Sequence, residues 1–300
     1  MHRNFLSNKN NKDLKNELEK LSEPENIEAL KARADAGDPE ASYVLATHYL
    51  VREPEEALRL LNFAAENEYA AAELLLGILY TFGIHVEPDE DKALELLQKS
   101  ARRGDASAQK VLGELYLNIS EASKESERNA FFWMKKAADQ GNTEAEFYLG
   151  FLYSGGIGVK KDPTEAFQWY KKAADKGDPD AQLELAFCYD KGKVVKKDPK
   201  EAMLLLQLAA EQGNEYAMFH LGAKYILGND IEQDLNEAFF WMLLSALYGN
   251  DAAHEAIKDG LAGISSLNLI KIKSRVLRWL DENNPELRET FIKDYNYLFD

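Results

Sequence analysis

The chain has 300 residues, 45% of them apolar, and a formal net charge of −16. That length exceeds what one hydrophobic core usually spans but suits an array growing along one axis, and the acidity excludes a general nucleic-acid binder, which needs a basic surface to displace counterions. A single cysteine, Cys188, excludes an intrachain disulfide, and no apolar run approaches the ~18 residues that would suggest a membrane span, so no membrane insertion is expected.

Residues 1–24 are polar and charged, without the apolar segment of a secretory signal, and read as a partly disordered extension whose "DLKNELEKL" stretch helps to cap the first helix pair. The expected compartment is therefore the cytoplasm, although an effector exported without a cleaved signal would have the same sequence. From residue 25 to 262 the chain repeats. Tyr49, Tyr80, Tyr116, Tyr153, Tyr189 and Tyr225 recur at intervals of 31, 36, 37, 36 and 36 residues, with Leu261 in the same slot after another 36. Eight and four positions before each tyrosine stand an alanine and a leucine, from Ala41 and Leu45 to Ala217 and Leu221, with Ala253 and Ile257 in the last copy. Steps of four on one face predict an amphipathic helix, helix A. Twelve positions before the tyrosine a glycine (Glu68 in one copy) ends the preceding helix, and after each glycine an Asp or Asn follows to cap helix A.

Nine residues after the tyrosine come Asp89, Asp162, Asp198 and Asp234, each opening a D-x-x-E-like run. This predicts a helix B whose aspartate caps the first turn while the glutamate reaches back in a capping box. Each unit is then two helices of roughly a dozen residues, too short to be stable alone in water, so both faces must be buried by stacking. The first unit has a shorter loop, "LVREPEEAL", and the third replaces the loop glycines with "NISEASKESERNA". The seventh unit runs into "GLAGISSLNLIKIKSRVLRWLDENN" from residue 260, and residues 263–300 read as helices that cap the open end.

The pattern A-x-x-x-L-G-x-x-Y, then G-x-G-V-x-x-D, then A-x-x-W-Y-x-x-A-A resembles the Sel1-like repeat family, relatives of tetratricopeptide arrays with a longer loop inside each repeat. The resemblance covers about residues 30 to 262. It implies an all-α, right-handed α-solenoid of about seven helix-turn-helix Sel1-like repeats, and a bacterial adaptor in signalling, envelope assembly or host contact.

Several strings could in principle carry chemistry on this scaffold. The glycine loop "GGIGVKKD" from Gly155 has no P-loop string and follows a helix rather than a strand, so it reads as a turn, with Val159 or Val195 tucked into the seam. The five histidines make no H-x-x-x-H or H-E-x-x-H pair, and with one cysteine no zinc set can be completed. Cys188, beside Tyr189, reads as a small core residue. Ser107 and Lys110 match S-x-x-K, the serine–lysine arrangement of β-lactam-binding hydrolases, without the S-D-N or K-T-G companions. No cofactor, metal or catalytic residue is expected, and the serine hydrolase is the alternative of a different class. Lys160, Lys161, Lys196 and Lys197 offer a basic ridge, or a plain solvated edge.

Helix A also carries a second apolar row, six and two positions before the tyrosine. It contains Tyr43, Leu74, Ile78, Phe147, Phe151, Leu183, Phe187 and Phe219, with Tyr216 extending it, and Lys110 and Glu114 interrupt it in the third unit. By resemblance to tetratricopeptide arrays these positions line a concave groove; the alternative is packing between successive A helices. The function expected is a protein-interaction scaffold binding a protein or peptide partner on that surface. A host-directed effector or an immunity protein against a toxin would use the same solenoid.

Overall fold

The computed structural model describes residues 27–118, 123–259 and 264–299, and among these there are no strands. The chain divides into two compact units between Asp162 and Pro163, within a repeat. The first unit contains α1 (Ile27–Asp35), α2 (Pro39–Tyr49), α3 (Pro54–Glu66), α4 (Ala70–Phe82), α5 (Glu90–Arg102), α6 (Ala106–Asn118), α7 (Lys124–Asp139) and α8 (Thr143–Gly155). The second contains α9 (Pro163–Asp175), α10 (Pro179–Lys191), α11 (Pro199–Glu211), α12 (Glu215–Leu227), α13 (Leu235–Leu247), α14 (Asp251–Asp259), α15 (Ser266–Asn283) and α16 (Leu287–Tyr295), then a 3-10 turn, Asn296–Phe299. The even-numbered helices α2 to α14 are the A helices, and the odd-numbered α3 to α13 are the B helices. Within each unit the repeat helices, α1 to α8 and α9 to α14, pack each against its neighbour in sequence, and α15 packs back on α13. Leu261 and the segment "DLKNELEKL" lie outside the described residues.

The predicted row of small and branched side chains is the core. Ala41, Ala72, Ala108, Ala145, Ala181, Ala217 and Ala253 have no exposed surface, and the matching leucines and Ile257 are buried with them. The glycine of the L-G-x-x-Y pattern lets helix B come close. A Cβ on Gly77 would lie 2.7 Å from Leu97 Cγ, and one on Gly113 or Gly222 would lie 2.9 Å from Met134 Cγ or Met242 Cγ. Helix B therefore lies almost against the backbone of its own helix A, burying an apolar stripe that neither 13-residue helix could shield alone.

The caps sit where the sequence puts them. The side chains of Asp38, Asp105, Asn142, Asp178, Asn214 and Asn250 each accept a hydrogen bond from a first-turn backbone N–H of an A helix. The loop after helix A is a turn, closed by Gly83, Gly156, Gly192 or Gly228 in the left-handed conformation. Gly158, at φ +67°, approaches α7 so closely that a Cβ would lie 2.0 Å from the Glu127 carbonyl oxygen. Val159 and Val195 are half-buried.

Helix B starts differently from the expected capping box. The side chains of Asp89, Asp198 and Asp234 cap their helices, but their backbone N–H groups donate to the carbonyls of Tyr80, Tyr189 and Tyr225 at 3.0–3.1 Å. The donor a glutamate would have accepted is already used to tie the loop back onto helix A. Among the described residues a reciprocal box occurs at Ser123 and Ser126 of α7.

A polar clasp that the sequence reading missed recurs along the seam. The residue before an inter-repeat glycine reaches back to the preceding A helix: Arg103 Nε donates to Glu73 Oε2 at 3.1 Å, Gln140 Nε2 to Gln109 Oε1 at 2.8 Å, and Gln212 Nε2 to Gln182 Oε1 at 2.9 Å. Glu73, Gln109 and Gln182 are buried, so each clasp satisfies a group that would be costly to leave bare. A polar residue seven positions before the tyrosine, on an otherwise apolar turn, was its signal.

Glu68 occupies the inter-repeat glycine slot with φ +62°, where the glycines adopt +85° to +99°. Its carboxylate meets Arg103 at 3.1 Å, but on an exposed side chain, where such a pair is worth little. Glu68→Gly is expected to stabilise the first unit by about 1 kcal/mol through relief of left-handed strain, read as a higher midpoint in urea; a lower midpoint would mean that the ion pair outweighs the strain.

Candidate interaction surface

The second row of helix A is half-buried, in contrast to the alanine–leucine row. In the first unit Tyr43, Leu74, Ile78, Phe147 and Phe151 are all partly exposed. The Tyr43 ring meets that of Tyr69, just before the next A helix, at 5.3 Å and a tilt of 46°, and burial holds its phenol above the ordinary value. In the third repeat the row is polar, as read from the sequence: Lys110 Nζ lies 3.4 Å from Glu114 and 2.7 Å from Glu144 of α8. In the second unit Leu183 is buried, Phe187 and Phe219 are half-buried, and Tyr216 is 40% exposed. The row thus contacts the next A helix along one edge and keeps solvent exposure along the other.

In the second unit the row opens into a cleft of about 500 Å³ between α10 and α12. Phe187, His220, Ala223 and Leu227 line it, with two inter-repeat ion pairs: Lys224 Nζ to Asp190 at 2.6 Å and Lys197 Nζ to Asp230 at 2.8 Å. The His220 ring stands edge-on to Phe187 at 4.7 Å between centroids. Leu227 is 65% exposed at the end of α12. The hydrogen bond from Lys197 holds the Asp230 carboxyl below its ordinary value. Sequence reasoning named Phe187 but missed Leu227, His220 and both ion pairs, which join residues 33 and 34 positions apart on successive repeats.

Neither the serine–lysine pair nor the thiol has the environment its chemistry would need. Ser107 is exposed. Burial works to lower the Lys110 pKa, but Glu114 and Glu144 outweigh it and hold the ammonium above its ordinary value, the opposite of what a serine–lysine base needs. Cys188 is half-buried, and burial pushes its thiol up, away from the reactive thiolate. Lys160, Lys161, Lys196 and Lys197 are exposed, with Lys197 paired to Asp230. Among the described residues no group of three or more His, Cys, Asp or Glu is arranged to hold a metal, and no helix is long and apolar enough to cross a membrane.

Burial, reinforced by the Lys224 ammonium, holds the His220 imidazole below its ordinary value of 6.5. The unfolded chain therefore binds more protons than the folded one between that lowered value and 6.5, and stability rises with pH across this window. The contribution of a neutral His220 is complete above pH 6.5 and is lost as the pH falls through it. Urea midpoints from pH 7.5 to 5 are expected to fall less for His220→Phe than for the wild type; identical slopes would place the proton uptake elsewhere.

The Sel1 repeat family model matches five segments, residues 70–105, 106–142, 143–178, 179–214 and 215–250. The crystal structure of a Sel1 repeat protein from Oxalobacter formigenes is 29% identical, covers 90% of this chain and 96% of its own, and has a TM-score of 0.62. The c5321 protective antigen of uropathogenic Escherichia coli, described as an SLR fold, has a TM-score of 0.57 at 24% identity over 89% of this chain and 66% of its own, a likeness of fold. A chitin synthase regulator, SKT5 of Malassezia restricta, is 29% identical over 153 residues, 47% of this chain. The chain spans from about a tenth to under a quarter of the length of the curated relatives it matches. Five matched repeats, the structural likeness and the stacked hairpins agree: the fold is an all-α solenoid of helix-turn-helix repeats, and the chain belongs to the Sel1 repeat family.

Proposed function

We propose that this chain, as a member of a family of protein-interaction scaffolds, is a non-enzymatic scaffold that binds a protein or peptide partner on the half-buried row of its A helices, with the cleft between α10 and α12 as the anchor point. The cleft carries the reading. It combines an aromatic wall, Phe187 with His220, an exposed leucine at its mouth, and fixed charges of both signs at Asp190–Lys224 and Lys197–Asp230. A few polar groups set around an apolar recess are what orient a bound side chain. The fitting ligand is a segment with one large apolar anchor flanked by charge. Tyr216 and Phe219 extend the surface on α12, and Tyr43, Leu74, Ile78, Phe147 and Phe151 offer the same row in the first unit.

A photo-crosslinking residue placed at Leu227 is expected to trap the partner. Because Leu227 is exposed, Leu227→Glu should leave the melting temperature unchanged and weaken that partner by roughly tenfold or more, the worth of one buried leucine. Undiminished binding by Leu227→Glu and by Phe187→Ala would remove the cleft from the interface.

A further inference from the structure

The outward side of the B helices carries a second surface, independent of the A-helix row. Nine and five residues before the inter-repeat glycine, α9 has Gln168 and Lys172, both polar and exposed. In the next two repeats both positions are apolar: Leu204 and Leu208 in α11, Phe240 and Leu244 in α13. Their environments differ. Phe240 and Leu244 are buried, whereas Leu204 and Leu208 are 50% and 40% exposed.

The seat on α13 is occupied by α15 of the same chain. The Arg275 guanidinium lies over Phe240, 3.7 Å from the ring centroid, and both of its terminal nitrogens donate to the Glu237 carboxylate. One turn further on, Trp279 meets Tyr248 edge to face at 5.6 Å, while Ile272, Val276 and Leu280 of α15 are buried. Glu201 stands three residues before Leu204, as Glu237 stands three before Phe240. The face of α11 thus repeats the acid and the two apolar positions of a seat whose α13 copy holds a helix.

We propose that Glu201, Leu204 and Leu208 form a docking site for a basic amphipathic helix of another protein, which sets an arginine or lysine against Glu201 and apolar side chains against the two leucines. Charge selects this occupant. The helix seated on α13 carries Lys271, Lys273, Arg275 and Arg278 with no acidic residue before Asp281, in a chain of net charge −16. A second copy of so acidic a chain would bring like charge against an acidic seat. The apolar positions at i and i+4 match the anchor spacing of a helix laid on a helix face.

The probe is a fluorescent, helix-stapled peptide of the α15 sequence, Ser266–Asn283, titrated onto the full chain by anisotropy. Saturable binding is expected, weakened at least tenfold by Leu204→Glu and by Glu201→Lys at unchanged melting temperature, and weakened by added salt. Absence of saturable binding overturns the proposal. So does binding that ignores both substitutions, as when the peptide displaces α15 from α13. Sedimentation showing a dimer that Leu204→Glu dissociates assigns the face to a second copy, and overturns it as well.

Discussion

Repeat helices of nine to sixteen residues are marginal alone in water, and the rest of this protein's architecture is a consequence of that constraint. Each repeat must give one face to its partner helix and another to its neighbour, and the alanine–leucine row supplies the narrow surface along which this is possible. Alanines with no exposure and a helical glycine keep backbones close. The turns then fix the register: a tyrosine carbonyl holds the aspartate N–H that opens helix B, and at three inter-repeat turns a side chain, Arg103, Gln140 or Gln212, clasps the previous A helix. The clasp is polar and buried, so a slip of one residue would strand its hydrogen-bonding groups.

Most of this was legible because it repeats. The positions of Ala41 to Ala253, the glycine and cap slots and the loop aspartates each recur in most units, and recurrence separates scaffold from accident. What escaped was pairwise and long-range. That the loop aspartate spends its N–H on the tyrosine carbonyl depends on how the loop folds back, which spacing does not encode. The clasps join residues 30 or 31 apart, and the cleft at Phe187 depends on Leu227 ending its helix exposed, while the leucine of the core row, Leu221, is buried. A single sequence shows that both are leucines; only the packing separates their roles.

The same stacking explains why the surfaces differ from repeat to repeat. Positions that face the seam are held to a few small or branched residues, whereas the second row of helix A and the outward side of helix B are free to vary. They do: the row is Lys110 and Glu114 in one repeat and Leu183 and Phe187 in another, and the outward pair is Gln168 and Lys172 in one and Leu204 and Leu208 in the next. A uniform scaffold carrying non-uniform surface is how a one-dimensional array acquires specificity, with function residing in particular positions rather than in the fold.

Hydrogen exchange of the chain, free and saturated with the partner trapped through position 227, tests the central claim that binding uses the solvent edge of the A helices. The account predicts slowed exchange in the loops at 192–198 and 228–234 and at the adjoining ends of α10 and α12, with α9 and α13 unchanged. Protection confined to B helices, with both loops exchanging as in the free chain, would contradict it.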